Sequence, residues 1–140
     1  MDACIECGAP RDECEPPRPS PLYDPKNVFA RILSGEIPCR RVAECDVALA
    51  FHDISPLAKV HVVVVPKRPS MTFDDYVETD FSDWNPDEIV DFWRFVSRVV
   101  KQLGLDKTGY RLITNNGPDA EQTVPHFHVH ILGGEALRGL

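Results

Sequence analysis

The sequence has no apolar run approaching the length of a membrane span, so no transmembrane helix is expected. Its first twenty residues, MDACIECGAPRDECEPPRPS, lack the apolar centre of a secretory signal peptide. Basic side chains are few: 15 Lys and Arg stand against 22 Asp and Glu, for a formal net charge of −7. Such a surface repels phosphate backbones, which excludes a sequence-independent nucleic-acid binder. It does not exclude a small nucleotide, which needs only a local site. The cysteines (Cys4, Cys7, Cys14, Cys39 and Cys45) are odd in number. Without a secretion signal, that speaks against a disulfide framework. A soluble, cytoplasmic protein is expected. The five histidines are not scattered but fall in three places: His52, His61 and the cluster His126, His128, His130.

What is present is enough for one folded domain. The chain has 140 residues, with 43% hydrophobic and 26% charged, which suits a single core. Residues 1–25 are rich in proline, cysteine and charge and cannot supply a core of their own. Residues 26–140 are expected to form the domain. NVFARILSG carries apolar residues at helical spacing and stops at Gly35. CRRVAEC and VALAFHD read as short strands, and HVVVVP, a β-branched run, as a buried central strand. Residues 67–84 are polar and mixed and read as a loop. A long helix is expected from Pro86 to about Leu103, capped by Asn85 and Glu88. Its apolar stripe is Ile89, Phe92, Trp93, Val96, Val99, Val100 and Leu103. GYRLITNNG and HFHVHILGG supply two more strands. The fold class is therefore α+β, a five-stranded, mainly antiparallel sheet with two helices.

On a strand, alternate side chains share a face. His126, His128 and His130 are thus expected on one face, across roughly 13 Å, with Phe127, Val129 and Ile131 on the core face. A row of imidazoles suits metal binding. It also suits nucleophilic attack on phosphorus, with neighbouring rings fixing the tautomer and holding charged oxygens.

HFHVHIL fits His-φ-His-φ-His-φ-φ, with φ apolar, and resembles the histidine triad family. GEIP, AFHDISP, VPK, GYRLITNNG and the glycine pair after the triad agree with it in order, and they resemble the Hint-like, nucleoside phosphoramidase-like branch. The resemblance covers about residues 27–136. It implies a homodimer acting at the α-phosphate of a nucleotide, cleaving purine nucleoside 5′-phosphoramidates or acyl-nucleotide adducts without a metal. His128 would be the nucleophile, forming a nucleotidyl-histidine, and His126 and His130 would hold phosphate oxygens. His61 would stand behind the nucleophile and orient its tautomer. Asp53 would accept hydrogen bonds from the ribose hydroxyls. Phe51, His52, Ile54 and Ile32 would line the base pocket. Asn115 and Gln122 would contact substrate, and the Thr123 hydroxyl would donate to the leaving group.

The chain departs from that pattern before the triad. Ala120–Glu121 replaces a glycine pair, and Thr123 replaces a serine. Gln122–Thr123–Val124 is closer to dinucleoside polyphosphate hydrolases of the same family, which keeps that activity open as the alternative. A zinc-binding or adaptor module is the other alternative, on the strength of Cys4, Cys7 and Cys14, whose CxxCG knuckle would hold a structural zinc.

Overall fold

A computed structural model describes residues 23–78 and 85–139. The expected zinc ligands Cys4, Cys7 and Cys14 lie outside the described residues. Among the described residues no helix is long and apolar enough to cross a membrane.

Five strands form one antiparallel sheet in the order β1-β2-β3-β5-β4. They are β1 (Arg41–Glu44), β2 (Ala48–His52), β3 (Val60–Pro66), β4 (Tyr110–Ile113) and β5 (Val129–Gly133). The β-branched run forms β3, the middle strand, as its burial potential requires. In register, Phe51 and His130 both stand opposite Val63, while His52 and Ile131 both stand opposite Val62. Directly opposed residues share a face, so the register sorts the sheet into two sides.

On one side lie Ala48, Ala50, Val62, Val64, Val129 and Ile131, covered by α3 (Asp87–Gln102). Phe92, Val96, Val99 and Val100 come from the expected stripe, and Phe95, which the stripe omitted, is also buried there. The Asn85 carboxamide oxygen accepts the Asp87 N–H at 2.9 Å. The helix ends before Gly104, whose φ of +75° suits glycine. The other side carries Leu49, Phe51, Val63 and Val65 under α1 (Val28–Leu33), through Phe29. Asn27 starts α1 by accepting the Ala30 N–H at 2.9 Å.

The segment read as a loop contains a third helix, α2 (Phe73–Val77), so the fold has three helices rather than two. Thr72 caps it, accepting the Asp75 N–H at 3.2 Å. Its anchor is Tyr76, buried against Phe92 and Phe127. Five residues with one buried ring leave no periodic signal in the sequence.

Candidate active site

His61, His126, His128 and His130 converge on the α1 side of the sheet, and the local backbone differs from the expected strand. Strand β5 begins only at Val129, so His130 alone of the three lies in it. His126 and His128 occupy the irregular lead-in. Phe127 points the other way, into the core, as expected.

His126 is fully buried and turned away from solvent. Its Nε2 lies 2.8 Å from the Pro66 carbonyl oxygen, and its Nδ1 lies 2.7 Å from the Tyr23 hydroxyl. A carbonyl only accepts, so Nε2 carries the proton and Nδ1 accepts from Tyr23. With both nitrogens engaged, His126 has none left to hold a phosphate oxygen, which corrects the expectation for that residue. Burial pushes its pKa down to about 4, so it is neutral at pH 7. What His126 offers the site is its backbone: His128 Nδ1 lies 2.6 Å from the His126 carbonyl oxygen. Nδ1–H of His128 donates there, and Nε2 keeps its lone pair. Burial lowers the His128 pKa as well, which favours that neutral form. The Phe29 ring packs edge-on to His128, centroids 4.8 Å apart.

A second chain of hydrogen bonds fixes His130. The Leu57 backbone N–H donates to His61 Nδ1 at 3.0 Å. The His61 proton therefore sits on Nε2, 2.9 Å from His130 Nδ1 and 3.4 Å from Asp53 Oδ2. His130 Nδ1 accepts, so its own proton is on Nε2. His61 thus orients His130 rather than the expected His128. Burial lowers the His61 pKa. Burial, followed by the neighbouring His128 and His61, pushes His130 to about 4. Asp53, His61 and His130 also bring potential metal-ligand atoms within 4.8 Å of one another. A metal there would have to displace the His61 proton that links the rings.

Between α1, β2 and the loop before the triad lies a cleft of about 260 Å³. Ile32, Phe51, Asp53, Asn115, His128 and His130 line it, as do Ile54 and Thr123. Ile54 is 99% exposed and forms the rim. Asp53 Oδ1 accepts the Ser55 N–H at 2.8 Å. Gln122 reaches the cleft, but its carboxamide braces the loop: Nε2 donates to the Met71 and Val124 carbonyls, and Oε1 accepts the Gly117 N–H. His52 is not among the lining residues, because strand alternation places it opposite Val62, on the α3 side. Glu121, singled out in the sequence as a departure before the triad, is on the wall; sequence reasoning missed Val28, Phe29, Val63 and Val124 there, and Tyr23 behind it. Tyr23 sits in the segment assigned to the tail, 103 residues from its partner.

These pKa shifts carry a pH dependence of stability. The unfolded chain protonates its histidines near pH 6.5, whereas the folded chain resists until far lower. Between those values the unfolded state binds more protons, so stability is full above about 6.5 and falls with acidification. A single buried histidine such as His126 contributes about 1.4 kcal/mol per pH unit across that window. The urea midpoint is expected to drop from pH about 7 to about 4.5. A midpoint that holds or rises would contradict neutral buried histidines.

The HIT domain profile matches residues 34–137. The chain belongs to the HIT family. It is 46% identical over 115 residues to a 13.2 kDa HIT-like protein of Azospirillum brasilense, covering 82% of this chain and 91% of that one. Its fold matches a HIT family hydrolase from Legionella pneumophila with a TM-score of 0.71 and 31% identity, covering 81% and 96% of the two chains. It also matches a histidine triad nucleotide-binding protein from Candida albicans, with a TM-score of 0.66 and 28% identity, over 82% and 85%. The HIT match begins inside the part of the chain where the sequence pattern turns regular, and it includes the whole triad.

Proposed function

We propose that this HIT protein cleaves purine nucleoside 5′-phosphoramidates, or acyl-nucleotide adducts, through a nucleotidyl-His128 intermediate. The observation that carries this reading is the 2.6 Å bond from His128 Nδ1 to the His126 carbonyl, which leaves Nε2 unprotonated at the cleft. The hydrolase and nucleotide-binding relatives are in keeping with it.

In this reading Nε2 of His128 attacks the α-phosphorus. A P–N bond to the imidazole forms, and the bond to the leaving nitrogen breaks. That nitrogen departs with the bonding pair and takes a proton through the Thr123 hydroxyl, which regains one from the water that next attacks phosphorus. His130 Nε2–H donates to a phosphoryl oxygen as charge develops. The positive imidazole is stabilised by the His126 carbonyl at Nδ1. Water then attacks phosphorus, and the pair of the breaking P–N bond returns to His128. Asp53, acceptor-only when ionised, suits the vicinal hydroxyls of ribose, and Phe51 and Ile32 suit a base. No step calls for a metal or other cofactor.

The same nucleophile would serve hydrolysis of a dinucleoside polyphosphate, which Gln122–Thr123 favours by resemblance. Glu121 on the cleft wall weighs the other way. Its carboxylate repels a chain of ionised phosphates more than the single charge of a phosphoramidate monoester. Turnover of an adenosine phosphoramidate and of diadenosine tetraphosphate, measured side by side, separates the two. Preference for the tetraphosphate would overturn the phosphoramidate reading, and turnover of neither would overturn both.

Pairing into a homodimer belongs to the same proposal. The α3 stripe is used up inside the chain, but the edge strand β4 leaves Tyr110 45% and Leu112 41% exposed. An antiparallel pairing of two β4 edges would cover both. Sedimentation equilibrium is expected to give twice the chain mass of 15.7 kDa. A single-chain mass at micromolar concentration would remove the dimer.

A further inference from the structure

Tyr23 is the one donor seen at His126 Nδ1 among the described residues, and it comes from outside the matched domain profile. Its placement is built rather than incidental. Asp24 Oδ1 accepts the Lys26 N–H at 2.8 Å, and the Asp24 carbonyl accepts from the Asn27 backbone N–H at 3.1 Å and from its carboxamide at 2.7 Å. This turn ties Tyr23 to the start of α1. The same five-residue strap therefore delivers the Tyr23 hydroxyl to His126 and, through α1, the Phe29 ring to His128. Tyr23 also meets the His126 ring edge-on, centroids 5.7 Å apart.

We infer that Tyr23 is a positioning residue for the nucleophile, acting through His126: its hydroxyl holds the His126 ring in one tautomer, so that the His126 carbonyl fixes His128. This rests on the reading of His128 as the nucleophile. A neutral imidazole has one donor and one acceptor. The Pro66 carbonyl takes the donor, and the acceptor is then a buried lone pair. Without the hydroxyl that lone pair has no donor, and a buried polar atom left so is costly. The ring can relieve this by moving its proton to Nδ1, but Nε2 then faces the Pro66 carbonyl, lone pair against lone pair. It can also shift, and its own carbonyl shifts with it. Either response loosens the 2.6 Å bond to His128 Nδ1. Burial raises the Tyr23 pKa, so the phenol keeps the proton it donates.

Tyr23→Phe, which removes only the hydroxyl, tests this against the unaltered protein. Tyr23 is absent from the cleft lining, so its loss should not weaken substrate binding. With a phosphoramidate substrate, kcat is expected to fall about tenfold while KM stays within about twofold. Ring ¹⁵N spectra of the wild type should show His126 protonated at Nε2 alone and His128 at Nδ1. In Tyr23→Phe the His126 Nδ1 resonance should move, and His128 should lose its pure Nδ1–H signature. Unchanged kcat, a rise in KM alone, or unaltered ring signals at both histidines would overturn the inference. If the wild type cleaves nothing, the proposed function fails, and the ring signals still decide whether Tyr23 positions His128.

Discussion

Turnover of an adenosine phosphoramidate is expected to fall by at least about three orders of magnitude when His128 is replaced by alanine, with the fold retained. The size follows from the chemistry. His126 has both ring nitrogens engaged, to Pro66 and Tyr23. His61 has Nδ1 filled by the Leu57 N–H, and its Nε2 is directed at His130 and Asp53. His130 is held in the tautomer whose free nitrogen is a donor. Among the described residues only His128 combines a fixed Nδ1–H with an open Nε2 at the cleft, so under the proposed mechanism its loss removes covalent catalysis with no substitute among them. What would remain is water attack helped by His130 and the binding groups. Far-UV circular dichroism should be unchanged, because the ring packs on Phe29 at the edge of the smaller apolar cluster rather than in the main core. A variant retaining a tenth or more of wild-type kcat would remove His128 from the nucleophile's role. A variant that unfolds would place the ring in the core instead.

The largest effect on stability is expected one residue earlier. Phe127 is fully buried, stacked on Tyr76 with centroids 5.3 Å apart and tilted against Phe92 at 5.6 Å. Phe73 meets its edge at 5.9 Å. It joins β5, α2 and α3, so little can collapse into the space it leaves. Phe127→Ala is expected to cost about 3–5 kcal/mol in urea unfolding, with a Tm lower by on the order of 10 °C. Activity should suffer too. The Phe127 backbone N–H donates to the Ser70 carbonyl at 2.8 Å, and the residue sits between the His126 carbonyl and His128, whose ring that carbonyl anchors. A loss below about 1 kcal/mol would mean that the aromatic cluster tolerates the cavity, and that the two faces of this segment are less coupled than their geometry requires.

Much of the architecture was legible because it rests on local periodicity and punctuation. The β-branched run of Val62 to Val65 reads as a buried central strand, and the 3.6-residue stripe from Ile89 to Leu103, stopped by Gly104, reads as a long packed helix. The separation of Phe127, Val129 and Ile131 from the histidines followed from their alternation and held even where the strand itself was absent. His52 could have been placed correctly by the same rule, since it alternates with Phe51 on β2 and faces α3.

Residue type and short-range spacing were enough to read the sheet, its principal helices and the clustering of three imidazoles at the start of the last strand. What each imidazole can do depends on contacts made in three dimensions. Whether a ring nitrogen donates, accepts or stays open is set by partners distant in the chain: Pro66 and Tyr23 for His126, and Leu57 through His61 for His130. The His126 carbonyl, two residues away in the irregular lead-in to β5, does the same for His128. A neutral imidazole has two tautomers of nearly equal energy, so a single long-range hydrogen bond chooses between them, and no pattern along the chain encodes that choice.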